Sequence, residues 1–117
     1  MTNRLNNKVA LITGASSGIG KGISELFAKE NCSIILTDKN INKAKQVCDE
    51  IAKFNPNCIA LDLDVTSEQN WIEVIQEANN YFNGINILVN NAGIYSRKPI
   101  EQTELNEFEK IIKVNLN

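Results

Sequence analysis

Short β-branched runs alternate along this chain with segments in which apolar residues recur at helical spacing. The predicted strands cover 8–13, 33–37, 58–62 and 85–90, and the predicted helices cover 18–30, 41–53, 66–78 and a segment from Thr103 onward. Strands that are separated by helices pair through right-handed crossovers, so all four strands are expected to run parallel. The pattern predicts the α/β fold class, as one doubly wound parallel sheet with no linker and no repeat.

The last predicted helix starts at a Thr103 cap and stays in helical register as far as Asn117. No glycine cap or proline follows it. The fourth strand is strongly apolar, as expected for a strand with neighbours on both sides, and one of those neighbours would come later in the chain. An uncovered edge of this kind invites pairing with another chain. The sequence is therefore expected to be part of a longer domain.

A glycine-rich turn joins the first strand to the first helix. Gly14 permits a tight turn out of the strand, Gly18 lets the backbone approach a ligand closely, and Gly20 removes a side chain where helix packs on strand. Unpaired N–H groups at the start of the helix would then face a pyrophosphate. The alternative is a turn of small residues with no ligand. The strand–turn–helix context favours dinucleotide binding.

Asp38 ends the second strand at about the interval after Gly20 that is expected for a ribose-binding acid. Its carboxylate can accept hydrogen bonds from the adenosine 2′- and 3′-hydroxyls and would repel a 2′-phosphate. The sequence thus predicts NAD as the cofactor, with NADP less favoured. Lys39 is a complication, because a basic residue just past this strand can reach a 2′-phosphate. The alternative for Asp38 is a solvated residue at a strand end.

Two motifs together carry a family resemblance. The first is the run from Thr13 to Gly20, with TGxxxGxG spacing, and the second is Asn90-Asn91-Ala92-Gly93 at the end of the fourth strand. The chain from about Asn7 to Asn117 resembles the N-terminal half of the short-chain dehydrogenase/reductase family. The resemblance implies a partial Rossmann dinucleotide-binding domain over 1–117. NADP-preferring relatives often have a basic residue where this chain has Ser17.

The resemblance also assigns roles to individual residues. Asp64 and Val65 would flank the adenine ring, the NNAG backbone would pass close to the cofactor ribose, and Asn115 would be the helical asparagine of the catalytic tetrad, which holds a proton-relaying water. The candidate cofactor-binding residues are Gly14, Ser16, Ser17, Gly18, Ile19, Gly20, Asp38, Asp64, Val65, Asn91, Ala92 and Gly93. Plainer alternatives are helix-entry polarity for Asp64, turn chemistry for the asparagine pair and a surface position for Asn115.

The family's catalytic serine and Tyr-x-x-x-Lys pair are not found in this chain. Tyr81 is followed four residues later by Ile85, and Tyr95 by Pro99. The expected parent protein is an NAD(P)-dependent oxidoreductase acting on a small-molecule alcohol or ketone, and the 117-residue chain alone is expected to be inactive. Two alternatives are a noncatalytic NAD-binding module and a fragment that self-associates. Family analogy favours a homo-oligomeric parent.

Composition excludes several other functions. The formal net charge of -2 gives no basic surface for nucleic acid or anionic membranes. No apolar run reaches the roughly 18 residues of a spanning helix, and residues 1–7 lack the apolar core of a signal peptide. Three cysteines without CxxC spacing favour reduced thiols in a cytoplasmic protein. The absence of histidine excludes a histidine-ligated metal site or a histidine base within these residues.

Overall fold

The computed structural model describes residues 5–16, 18–91 and the backbone of 112–115. The strands are β1 (Val9–Ile12), β2 (Ser33–Asp38), β3 (Cys58–Asp62), β4 (Ile87–Asn90) and β5 (Ile112–Asn115), and the helices are α1 (Gly18–Lys29), α2 (Ile41–Ala52) and α3 (Glu68–Tyr81). All strand pairs are parallel, in the order β3-β2-β1-β4-β5. No helix in these ranges is long and apolar enough to cross a membrane.

Helices cover both faces of the sheet, which confirms the doubly wound α/β fold. Successive residues of β1 alternate between two apolar clusters: Ile12 packs in the one that holds α1 and α2, and Leu11 packs in the one that holds α3. All four residues of β1 are buried. A strand covered on both faces must be apolar throughout, which is why 9–12 reads as a continuous hydrophobic run.

The predicted helix is wrong over residues 112–115, which form β5. This strand pairs with β4 in the register Ile87↔Ile112 to Asn90↔Asn115. The segment Ile-Lys-Val-Asn has β-branched residues at every second position, which suits a strand. Pairing also satisfies the backbone groups of β4 on the side away from β1, the edge that was expected to lie open. The rest of the helix predicted from Thr103 lies outside the described residues.

Helix α3 begins slightly later than the helix predicted over 66–78. Ser67, not Thr66, is the N-cap, and its side chain accepts a hydrogen bond from the Asn70 backbone N–H at 3.1 Å. The Thr66 hydroxyl instead donates to Asp64. Both residues are able to cap a helix, and the competing acceptor two residues upstream decides between them.

A buried asparagine ties together the two connections at the amino-terminal end of β2 and β3. The Asn55 amide donates to the carbonyls of Ala28 at 3.0 Å and Cys32 at 2.9 Å, and its oxygen accepts from the Asn57 N–H at 2.9 Å. Only 7% of Asn55 is exposed. The sequence predicts for this segment only a connection between the helix over 41–53 and the strand over 58–62, because no local pattern indicates that it packs against the end of α1.

Replacing Asn55 should destabilise the fold. Asn55→Ala leaves the Ala28 and Cys32 carbonyls without this donor in a buried place, which should lower the free energy of unfolding by about 1–3 kcal/mol. Urea denaturation of the variant and the parent measures the difference. Asn42→Ala, at an exposed position of α2, is the control and should change stability by about 0.5 kcal/mol at most. Equal stabilities for the two variants would contradict the role given to Asn55.

Candidate dinucleotide-binding site

The glycine-rich turn lies at the carboxyl edge of the sheet, between β1 and α1. Its strand, β1, has β2 on one side and β4 on the other, so the strand order reverses here. Ligands of open α/β sheets bind at such switch points. Gly14 and Gly18 have φ values of 59° and 56°, which side chains other than glycine rarely adopt. The two glycines thus give the chain a path that few other residues could follow.

Gly20 permits a close approach between α1 and the end of the sheet. A Cβ at this position would overlap the Gly14 carbonyl and would lie 2.6 Å from Asn91 Nδ2. A Cβ at Gly18, by contrast, would meet no atom of the described residues within 4 Å. The turn is therefore crowded on the side that faces the sheet and open beside Gly18, as a backbone cradle for a ligand requires.

Hydrogen bonds from β4 fix the turn in place. The Asn91 N–H donates to the Thr13 hydroxyl at 2.8 Å, and the Asn91 amide donates to the Gly14 carbonyl at 3.3 Å. The Thr13 N–H donates to the Val89 carbonyl at 3.0 Å. Asn91 thus positions the turn from the neighbouring strand. Sequence reasoning missed Thr13, although a hydroxyl residue at the end of a buried strand, directly before the first glycine, was the available signal.

Bonds from β2 fix the turn on its other side. The Ala15 N–H donates to the Thr37 carbonyl at 3.1 Å. Ser16 donates twice to one oxygen of Asp38, from its N–H at 3.1 Å and from its hydroxyl at 2.5 Å. The structure thus brings together two of the predicted cofactor residues, Ser16 and Asp38.

Asp38 is held as a carboxylate beside the turn. Its second oxygen accepts a hydrogen bond from the Asn40 N–H at 2.9 Å. Partial burial raises the pKa of the Asp38 carboxyl, but the hydrogen bonds from Ser16 and Asn40 outweigh burial and leave the pKa below its ordinary value. The residue is therefore an anionic acceptor at neutral pH, partly open to solvent at the end of β2.

The predicted adenine-flanking pair follows β3, one strand outward from Asp38. The Asp64 carboxylate accepts from the Thr66 N–H at 3.0 Å and from its hydroxyl at 2.6 Å, and these bonds lower the pKa of Asp64. The Val65 carbonyl accepts from the Trp71 indole at 3.0 Å. Asp64 therefore has the helix-entry role named as its alternative, while its exposed carboxylate leaves the cofactor role open.

The structure describes two of the remaining predicted residues, Ile19 and Asn115. Ile19 lies in the first turn of α1, next to Gly18, and is 62% exposed. Asn115 lies in β5 opposite Asn90, so the helical setting on which its proton-relay role depended is wrong. Ser17, Ala92 and Gly93 lie outside the described residues.

A pocket of about 260 Å³ lies elsewhere, between β3 and α3. Its lining residues are Leu61, Asp62, Asn70, Glu73, Val74 and Glu77, and none of them is a predicted cofactor residue. The three carboxylates disfavour a phosphate-bearing ligand there. Within the described ranges, no group of three or more cysteine or carboxylate side chains is placed to hold a metal ion.

Comparison with known proteins identifies the family. The family described as short chain dehydrogenase matches residues 8–117, so the chain belongs to that family. It is 41% identical over 113 residues to galactitol 2-dehydrogenase of Agrobacterium fabrum and 35% identical over 118 residues to cyclohexanol dehydrogenase of an Acinetobacter species. These matches cover 97% and 100% of the chain but 43% and 47% of the relatives, so the chain spans under half of their length.

Solved structures also resemble most of this chain over less than half of their own length. A hydroxysteroid dehydrogenase from Escherichia coli matches with a TM-score of 0.74 and 41% identity, over 78% of this chain and 38% of that one. L-sorbose reductase from Gluconobacter frateurii, solved with NADPH and L-sorbose, matches with a TM-score of 0.75 and 36% identity, over 82% of this chain and 37% of that one. The fold of the described residues is therefore one that relatives share.

Two glycines of α1 offer a matched test of the close packing. Gly20→Ala places a methyl group against Gly14 and Asn91, and it should lower the free energy of unfolding by roughly 1–3 kcal/mol. Gly22→Ala adds the same group where no atom of the part of the chain that the structure describes lies within 4 Å, and it should raise stability by about 0.5–1 kcal/mol. Denaturant titration of both variants checks the difference in sign. A stabilising Gly20→Ala would show that the turn does not need this approach.

The hydrogen bonds to Asp38 should affect how the free energy of unfolding falls at acid pH. Because its pKa is lower in the folded chain than the value of about 3.9 expected when unfolded, the carboxylate adds stability above that pH. This part is lost as the pH falls through the folded-state pKa. Asp38→Asn should therefore flatten the decline in free energy of unfolding between about pH 5 and pH 2. Asp49→Asn, on the exposed face of α2, is the control, and equal slopes for the two variants would argue against the Ser16–Asp38 link.

Proposed function

We propose that this chain is the dinucleotide-binding part, over 1–117, of an oxidoreductase that moves hydride between a nicotinamide cofactor and an alcohol or carbonyl substrate. The observation that carries the proposal is the glycine turn. It has two glycines at positive φ, an open cradle beside Gly18 and the Asp38 carboxylate hydrogen-bonded next to it. Membership of the short chain dehydrogenase family gives this arrangement its chemical setting.

The residues of the turn fit the phosphate part of such a cofactor. Backbone N–H groups in the first turn of α1 have no partner within the helix, and the helix dipole favours an anion at this end. Space beside Gly18 lets a pyrophosphate approach the backbone. Gly14 and Gly20 set the path of the turn, and the exposed Ile19 would cover the bound molecule. Ser17 would complete the turn.

The adenosine end would lie along the ends of β2, β3 and β4. Asp38 would accept hydrogen bonds from the ribose hydroxyls, while Asp64 and Val65 would flank the adenine. The backbone of the NNAG run, through Asn91 with Ala92 and Gly93, would pass close to the cofactor ribose. Asp38 ends β2, and Asp64 and Asn91 follow β3 and β4 at the carboxyl edge of the sheet, where a dinucleotide extended across the switch point would contact them in turn.

We further propose that the cofactor is NAD rather than NADP. A carboxylate at Asp38 repels a 2′-phosphate, and its lowered pKa keeps it charged at neutral pH. Lys39 is the opposing influence, and the L-sorbose reductase that matches this chain was solved with NADPH. The proposed preference therefore rests on Asp38 and on Ser17, which stands where NADP-preferring relatives often have a basic residue.

The cofactor, when bound, supplies or accepts the hydride, and the chain's own residues bind and orient it. The proposed substrate class is a small alcohol or ketone, since the relatives include galactitol 2-dehydrogenase and cyclohexanol dehydrogenase. A cytoplasmic location agrees with three free thiols at Cys32, Cys48 and Cys58. A homo-oligomeric assembly is proposed by family analogy alone.

Titration of the full-length protein with NADH and NADPH tests the proposal. NADH should bind more tightly, because only NADPH brings a phosphate against Asp38. Asp38→Ala should weaken NADH binding by about tenfold to hundredfold, which corresponds to the loss of a charged hydrogen bond. It should also reduce the difference in affinity between NADH and NADPH. Fluorescence of the reduced nicotinamide gives both affinities.

Asp49→Ala is the matched control, since it removes an exposed carboxylate from α2 at the end away from the turn. It should leave both affinities unchanged. Equal or tighter binding of NADPH by the parent would refute the NAD preference. Failure of both dinucleotides to bind would refute the proposed function itself.

A further inference from the structure

Two cysteines lie against each other at the end of the sheet opposite the glycine turn. Cys48 is on α2, and Cys58 begins β3. The Cys48 thiol donates a hydrogen bond to the Cys58 backbone carbonyl at 3.2 Å. Cys48 packs on the apolar cluster that contains Cys58. A packed helix and strand therefore place the two cysteines in contact, although ten positions separate them in the sequence.

We propose that Cys48 and Cys58 are a redox-active thiol pair, which a hydroperoxide such as hydrogen peroxide converts into an intramolecular disulfide. The proposal rests on the contact between α2 and β3, and it is independent of the dinucleotide site.

The two thiols differ in a way that assigns their roles. Cys48 is half-buried, and the hydrogen bond from the Cys58 thiol lowers the pKa of Cys48, against the opposing effects of burial and of the Asp49 charge. Cys58 is only 8% exposed, and its bond to Cys48, together with burial, raises its pKa. Since the thiolate is the reactive form, Cys48 should react first and Cys58 should resolve the product.

The chemistry balances in two steps. The Cys48 thiolate attacks the peroxide, so that an S–O bond forms, the O–O bond breaks and hydroxide leaves; sulfur loses two electrons to the peroxide. The Cys58 sulfur then attacks the sulfenic sulfur of Cys48, so that the S–S bond forms and the S–O bond breaks. The departing oxygen takes the Cys58 proton and leaves as water. Two equivalents of an added thiol restore both cysteines by disulfide exchange.

Cys32 provides an internal control. It is fully buried, its sulfur lies 3.5 Å from the Lys8 carbonyl and 3.4 Å from the Ser33 carbonyl, and burial raises its pKa to about 12. A thiol in this condition is a poor nucleophile. If peroxide oxidises Cys48 and Cys58 but not Cys32, the reaction is specific to the pair and is not a general oxidation of all cysteines.

Peptide mapping of the full-length protein, treated with hydrogen peroxide and then alkylated at free thiols, tests the proposal. Trypsin places the three cysteines in the separate peptides 30–39, 46–53 and 54–97. The expected product is a cross-link between 46–53 and the peptide that contains Cys58, lighter than the two reduced peptides by two hydrogen atoms. Dithiothreitol should abolish it. The Cys32 peptide should stay alkylated.

Variants separate the two steps. Cys58→Ser should lose the cross-link and accumulate a sulfenic acid on Cys48 that dimedone captures, whereas Cys32→Ala should still form the cross-link. Circular dichroism checks that each variant is folded. The proposal is overturned if peroxide leaves the wild-type peptides 46–53 and 54–97 unlinked. It is equally overturned if dimedone labels Cys48 as strongly in the wild type as in Cys58→Ser.

Discussion

The described structure depends on how the chain leaves β1. The backbone ladders of β1 continue past its last residue on both sides: the Thr13 N–H reaches the Val89 carbonyl, and the Ala15 N–H reaches the Thr37 carbonyl. The turn that follows is thus an extension of the sheet, fixed by β2 and β4 together. Because its glycines take φ values that few residues adopt, this geometry persists only where both neighbouring strands hold it.

The same constraint also orients the carboxylate of the proposed ribose site. Ser16 turns its N–H and its hydroxyl onto Asp38, so the carboxylate is oriented before anything binds. An oriented acceptor loses less freedom when a ribose hydroxyl arrives, which favours affinity. The Ser16 hydroxyl can rotate away, whereas its N–H cannot, so one of the two bonds can give way to the ligand while the other keeps the carboxylate in place.

The sequence predicts much of this arrangement, because its signals are local. Short apolar runs that alternate with helical segments identify the first four strands, and the interval from Gly20 to Asp38 identifies the acid beside the turn. Long-range partners are harder to foresee: nothing near Asn55 in the sequence indicates that it binds the Ala28 carbonyl. Residues 112–115 were assigned to the wrong element because so short an apolar segment fits either period, and only the edge of β4 decides between them.

A parallel sheet gives its two edges different chemistry. Asp38 pairs with Asp62 at the carboxyl ends of β2 and β3, while Ile34 pairs with Cys58 near their amino ends. Four residues of strand separate these positions, or about 13 Å at the usual rise per residue. A covalent link at Cys58 would therefore constrain the packing of α2 on β3 without touching the turn. The proposed thiol pair and the proposed dinucleotide site thus lie at opposite edges of the sheet, so the residues of one site do not constrain those of the other.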